Sequence, residues 1–129
     1  MGYRSEVILA IDAKIVPALM TAFAKCEETQ KLCTKDTDNL NTDYDGEGNW
    51  LMRWDHIKWY NSYPEIAMIE QLIEGMESDD LSEFGLKDDE NAPEYSELFR
   101  FVRIGEDMDD NEVRGYGFDN IYISRGISF

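Results

Sequence analysis

Tyr3-Arg4-Ser5-Glu6-Val7-Ile8-Leu9-Ala10-Ile11 is the stretch that decides the fold class of this chain. At period two, Val7, Leu9 and Ile11 share one face of a strand, and Ile8 and Ala10 share the other. A strand apolar on both faces is buried on much of both sides. From Lys14 to about Cys33 the period changes: Ile15, Leu19, Ala22, Phe23 and Cys26 recur at helical spacing. Pro17 is tolerated only near a helix start, which places the first turn there.

The same alternation of periods continues along the chain. Residues 34–49 are rich in Asn, Asp, Thr and Gly and read as a long loop. Trp50 to Trp54 reads as a strand with Trp50, Met52 and Trp54 on one face, followed by a joint at Asp55–Tyr60. Ser62-Tyr63-Pro64-Glu65 has the form of a capping box. It stands in register with a helix whose apolar stripe is Ile66, Ile69, Leu72, Ile73 and Met76. Residues 77–95 are polar, with Gly85 and Pro93 as breakers. Glu97 to Ile104 and Asn120 to Phe129 read as strands, joined by an acidic connection with a short strand at Val113–Tyr116. The expectation is a two-layer α+β fold in the order β-α-β-α-β-β. One mixed or antiparallel sheet carries two helices on one face, as a single domain over residues 1–129.

The 129 residues suffice for one hydrophobic core, and 43% hydrophobic with 12% aromatic content is the composition of a folding chain. No apolar run approaches the roughly 18–20 residues needed to cross a membrane. The first residues have the pattern of neither a signal peptide nor a complete myristoylation site. Cys26 and Cys33, two turns apart on one helix, would lie roughly 10 Å from each other, too far for a disulfide. Reduced thiols and these absences together lead to the expectation of a cytoplasmic protein.

Charge is the strongest signal. Twelve Lys and Arg against 28 Asp and Glu leave −16 at pH 7. Such a chain is repelled by nucleic acid and anionic membranes and is steered toward basic surfaces. The plainer reading of acidity is solubility. The excess is uneven, however: residues 1–33 are net neutral, whereas residues 77–95 carry eight acids and one base. Three acidic groups result. The first is Asp36, Asp38, Asp43, Asp45 and Glu47; the second is Glu77, Asp79, Asp80, Glu83, Asp88, Asp89, Glu90 and Glu94. The third is Glu106, Asp107, Asp109, Asp110 and Glu112. Like charges so clustered repel one another over a Debye length of about 8–10 Å. A partner or an ion is therefore a fair expectation, against the alternative that loops simply tolerate charge.

Residues for chemistry are sparse. His56 is the one histidine, which supports neither a nucleophilic triad nor a zinc site, and its ring is expected partly buried beside Trp54 and Trp59. No Gly-rich phosphate loop is present. Paired carboxylates abound but sit in polar surroundings that would not raise a pKa for acid–base work. No enzyme, no catalytic residue, no cofactor and no metal site is expected. Asn41-Thr42-Asp43-Tyr44-Asp45-Gly46 matches the first half of a calcium-binding EF-hand loop, but its twelfth position is Met52 where a Glu is required. A calcium-dependent domain is kept as an alternative. Among the central aromatics, Trp50, Trp54 and Trp59 have core positions. Tyr60 and Tyr63 are expected exposed, as apolar anchors for a partner. A nucleic-acid stacking platform is rejected, because only Arg53 and Lys58 lie nearby.

Tyr3-Arg4-Ser5-Glu6-Val7, Trp54-Asp55-His56-Ile57-Lys58-Trp59-Tyr60 and Arg103-Ile104-Gly105-Glu106-Asp107-Met108-Asp109-Asp110 resemble stretches of a family of small acidic phage and prophage proteins of uncharacterised role. The resemblance implies expression inside an infected bacterial cell, in the host cytoplasm. No activity or binding residue carries over from it. Phage proteins of this size and acidity resemble anti-CRISPR and anti-restriction inhibitors that occupy the DNA-binding groove of host defence proteins. The expected function is therefore a phage-type inhibitor that binds a basic nucleic-acid-handling protein, a CRISPR effector or nuclease, partly as a DNA mimic. Its expected contact residues are Glu77, Asp79, Asp80, Glu83, Asp88, Asp89, Glu90, Glu106, Asp107, Asp109, Asp110, Glu112, Tyr60 and Tyr63. The alternative is an interaction or assembly module without DNA mimicry. Neither direct nucleic-acid nor membrane binding is expected, and the oligomeric state is left open.

Overall fold

β1 (Ser5–Ile11) lies at the centre of a five-stranded antiparallel sheet, and its residues Val7 to Ile11 are fully buried. The computed structural model describes residues 3–86, 93–107, 109–123 and, as backbone, 127–128. On one side of β1 runs β3 (Trp50–Ile57), with the three-residue β2 (Asn39–Asn41) outside it. On the other side runs β4 (Phe99–Ile104), with β5 (Asn111–Arg114) at the edge. The helices are α1 (Val16–Lys25), α2 (Glu27–Thr34) and α3 (Pro64–Glu77).

Alternation along β1 builds two apolar layers. Val7, Leu9 and Ile11 join Met52, Trp54, Phe99 and Phe101 beneath the helices. There they meet Leu19, Ala22 and Phe23 of α1, Leu32 and Cys33 of α2, and Ile66, Ile69, Leu72, Ile73 and Met76 of α3. The α+β reading and the α3 stripe are thus as expected. The opposite face, formed by Ile8, Ala10, Leu51 and Val102, is covered by Ile121, with Tyr44, Phe118 and Ile123 against it.

Several local expectations are corrected. The helix expected over residues 14–33 is two helices, broken where Cys26 adopts an extended backbone (φ −146°, ψ 106°). The break re-aims α2, so that Thr29 donates from its hydroxyl to the Glu65 carbonyl at 3.2 Å and the Leu32 carbonyl accepts from the Trp54 indole at 3.1 Å. Both thiols are free. The capping box does not form. Pro64 occupies the first turn of α3, so Tyr63 is the N-cap and makes no side-chain capping bond. Residues 120–129 do not form one long strand. A turn closed by Ile121 N–H to the Phe118 carbonyl leads into β6 (Tyr122–Ile123), which pairs antiparallel with β7 (Ile127–Ser128).

His56 is exposed, not buried beside the tryptophans. β3 continues to Ile57, and its pairing with β1 shifts by one residue between Trp54 and Ile57. A bulge of this kind turns the alternation over. Trp54 and Ile57 therefore both pack on the helix side, and His56 faces water. Tyr60 and Tyr63 are half-buried, with their rings 5.3 Å apart and Tyr63 against the main core. They are not the exposed anchors expected, because the joint they occupy folds back onto α3.

Candidate functional site

The acidic groups divide into carboxylates occupied by the fold and carboxylates left facing solvent. The third group belongs mostly to the first kind. β4 and β5 form a hairpin closed by Gly105 N–H to the Asp110 carbonyl at 2.7 Å. Across it, Arg103 donates to both oxygens of Asp110 (2.7 and 3.2 Å) and to Glu112 at 2.8 Å, and reaches the Ser5 hydroxyl at 3.2 Å. Tyr3 donates its hydroxyl proton to Asp110 Oδ2 at 2.6 Å and accepts the Asp107 N–H at 2.9 Å. The Arg103 guanidinium, helped by Tyr3, holds the Asp110 carboxyl down to about 2. A Cβ at Gly105 would meet the Tyr3 hydroxyl and Asp110 Oδ2, so any larger residue there displaces the ends of these two side chains from their hydrogen bond. Glu106 accepts the Arg4 N–H at 3.0 Å. Of this group, Glu106, Asp107 and Asp109 are exposed, whereas Asp110 and Glu112 serve the hairpin.

A second arginine ties the hairpin to α3. Arg114 of β5 donates to Glu70 at 2.6 Å and to Glu77 at 2.5 Å, with Glu112 at 3.9 Å. Burial works against the charge on Arg114, but the Glu77 and Glu70 carboxylates outweigh it and raise its pKa. Glu70 also accepts the Trp59 indole N–H at 2.8 Å. Glu77 is thus held by Arg114, as Asp110 and Glu112 are held by Arg103, so these three expected contact residues also serve the fold. Arg103 and Arg114 are the residues that sequence reasoning missed. Their signal was available as basic residues on two strands joined by a short acidic turn, the arrangement that makes cross-strand ion pairs.

The second group is mostly of the open kind. Asp79, in the left-handed region at φ 58°, accepts the Ser96 N–H at 2.9 Å and is otherwise exposed. Hydrogen bonds from Ser82 hold the Asp80 carboxyl below the usual carboxylate range. Glu83 is exposed, and its carbonyl accepts from Lys25 at 2.5 Å. Asp88, Asp89 and Glu90 lie outside the described residues. Leu81, Phe84 and Tyr95 are buried beneath this segment and pin it to the end of α3. Glu74, Glu94 and Glu97 stand exposed in the same region. A shallow hollow of about 250 Å3 runs between α3 and the turn, lined by Gln71, Glu74, Gly75, Ser78, Asp80, Glu83 and Phe84.

All five residues of the first group are exposed, but three of its carboxylates are engaged by nearby groups of the chain. Asp43 accepts the Gly48 N–H at 2.7 Å, Asp45 accepts from the Asn49 amide at 2.7 Å, and Asp38 accepts the Asp55 N–H at 2.6 Å. These oxygens shape the 41–49 loop, where the partial EF-hand match lies. Among the described residues, no three His, Cys, Asp or Glu side chains gather as a metal site. No described helix is long and apolar enough to cross a membrane.

The start of β1, the end of β3 and the end of β4 meet at one end of the sheet. Arg4 donates to the His56 carbonyl at 3.0 Å, and an open cleft of about 330 Å3 there is lined by Arg4, Ser5, Glu6, Asp55, His56, Ile104, Gly105 and Glu106. Comparison with protein-family models, with curated proteins and with solved structures finds no match to this chain.

Proposed function

We propose that this protein is a phage-type inhibitor that binds a basic, nucleic-acid-handling host protein, such as a CRISPR effector or nuclease, partly by offering carboxylates where DNA offers phosphates. The observation that carries this reading is the sorting of charge. Glu70, Glu77, Asp110 and Glu112 are ion-paired to two arginines of the fold. Glu74, Asp79, Asp80, Glu83, Glu94 and Glu97 face solvent at one end of the molecule, without an ion pair to any described cation. Carboxylates held on a rigid scaffold steer a basic partner and fix its register at little entropic cost. The role is binding and not catalysis, and its place is the host cytoplasm. The contact residues of this reading are Glu74, Asp79, Asp80, Glu83, Glu94 and Glu97, with Glu106, Asp107 and Asp109 as a second patch.

A tagged pull-down from bacterial lysate, washed at low and at high salt, tests the reading. Recovery of a nuclease or CRISPR component that elutes with salt supports it. So does weaker capture by a variant carrying Asp80→Asn, Glu83→Gln, Glu94→Gln and Glu97→Gln. Equal capture, at both salts, by that variant and by one carrying Glu106→Gln, Asp107→Asn and Asp109→Asn sinks the electrostatic mechanism.

A second reading is an assembly module without mimicry. It is favoured by two exposed aromatics, Tyr116 at 76% and Tyr122 at 52%. It predicts a partner retained through the high-salt wash and lost on Tyr116→Ala.

A further inference from the structure

We propose that the free edge of β5 is the docking site for an extended, basic segment of the partner, which adds as a sixth strand to the sheet. The inference rests on the reading above that the partner is basic, and it assigns the place and the mode of contact.

The backbone argument begins with the hydrogen-bond phase. The Gly105 N–H donates to the Asp110 carbonyl, which sets the phase, and the register continues as Ile104 with Asn111, Arg103 with Glu112 and Val102 with Val113. Hydrogen-bonded and non-bonded pairs alternate in an antiparallel ladder. Glu112 and Arg114 therefore bond inward to β4, and the N–H and C=O of Asn111 and Val113 point outward. No described strand lies beyond β5, which ends the sheet. Four backbone groups in β geometry are thus presented to an incoming strand, as in known strand-addition complexes.

Proteins commonly blunt such edges by shortness or a bulge. β5 is short, and Gly115 at φ +89° follows it in a bulge where a Cβ would lie 2.3 Å from the Phe99 carbonyl oxygen. The side chains run against a purely defensive reading. Val113 is 48% exposed and Tyr116 76% exposed, two of the four large apolar side chains most open to solvent among the described residues. A cavity of about 210 Å3 beside them, lined in part by Glu77, Ser96 and Tyr116, has room for one side chain of an added strand. The opposite edge, β2, offers no large exposed apolar side chain.

Charge selects the occupant. Asp107 and Asp109 precede β5, and Tyr116 N–H to the Ser96 carbonyl at 2.7 Å brings the exposed Glu97 to its other end. A strand laid along the edge passes carboxylates at both ends, which favours Lys and Arg. A second copy of this chain would bring another −16 to the same edge.

The test uses isotopically labelled protein titrated with three synthetic eight-residue peptides. One alternates Lys with Val, one alternates Thr with Val, and the third is the Lys–Val peptide N-methylated at alternate residues. The expected result is that the Lys–Val peptide shifts the Asn111 and Val113 amides and binds more tightly than the Thr–Val peptide. N-methylation should weaken it roughly threefold to tenfold for each hydrogen bond lost. Val113→Pro, which removes an outward N–H and no ladder bond, should weaken it similarly. Equal binding of the methylated peptide, with shifts around residues 79–86, overturns the edge and leaves the acidic-face reading standing. Equal binding of both unmethylated peptides, each lost on methylation, supports the edge and overturns the basic-partner reading. Binding of none overturns both. The methylated peptide leaves the protein unaltered, so the test does not depend on Val113→Pro folding.

Discussion

Tyr3 and Asp110 are separated by 107 residues of chain and joined by a hydrogen bond of 2.6 Å. That bond fastens the segment leading into the central strand to the turn of the β4–β5 hairpin, and so sets where the acidic end of the hairpin projects. Tyr3→Phe removes this bond and the one accepted from Asp107, and should lower the midpoint of thermal or denaturant unfolding. Gly105→Ala should lower stability to a similar extent, because its Cβ pushes the ends of both partner side chains out of this bond. An unchanged melting temperature for Gly105→Ala would refute this geometry.

Acid should weaken the protein through Asp110. The Arg103 guanidinium holds its folded-state carboxyl at about 2, below the ordinary value of 3.8. A depressed carboxyl contributes stability that is whole above the unfolded value and is lost as pH falls through the folded one. The window is therefore about pH 4 down to about pH 2. Asp110→Asn should be less stable at neutral pH, and its difference from the wild type should shrink across that window. A difference independent of pH would show that Asp110 is not ionically held.

Arg114 joins β5 to α3 through Glu70 and Glu77, and Glu70 is only 16% exposed at its side chain. Arg114→Ala leaves that carboxylate half-buried without its cation and should cost about 2 kcal/mol. Arg114→Lys should recover only part, because an ammonium cannot fork to two carboxylates as a guanidinium does. A double-mutant cycle of Arg114→Ala with Glu70→Gln reads the coupling directly. A coupling near zero would mean that the pair does not hold the edge strand to the helix.

The exposed carboxylates should behave in the opposite way. Glu74→Gln, Glu83→Gln and Glu97→Gln should each change stability by less than about 0.5 kcal/mol, with any gain confined to low salt where self-repulsion is unscreened. Melting temperatures measured at two salt concentrations check this. A large loss in any of the three would reveal a structural partner and remove that residue from the proposed contact face.

Cys26 and Cys33 should separate by reactivity. Burial pushes the Cys33 thiol up to about 12, whereas Cys26 is half-buried at the break between α1 and α2. An alkylating reagent at pH 8 should add one label per folded chain, at Cys26 by mass spectrometry, and two after denaturation. Labelling of Cys33 in the folded protein would contradict its burial.

The α+β class, β1 with its two apolar faces and the α3 stripe from Ile66 to Met76 were legible in the sequence, because burial imposes a period on apolar residues and these elements are long enough to display it. The uneven placement of acid was legible for the same elementary reason that charge is counted residue by residue. Tertiary structure alone decided the rest. The break at Cys26 serves the packing of α2 on α3, and the bulge that turns His56 outward depends on the register of β3 against β1. The sorting of carboxylates also required the fold, since Asp110 and Asp109 are neighbours in sequence and differ only in which one Arg103 and Tyr3 reach. Ion pairing depends on distances of a few ångströms between residues up to 107 positions apart, and no local pattern in the chain encodes those distances.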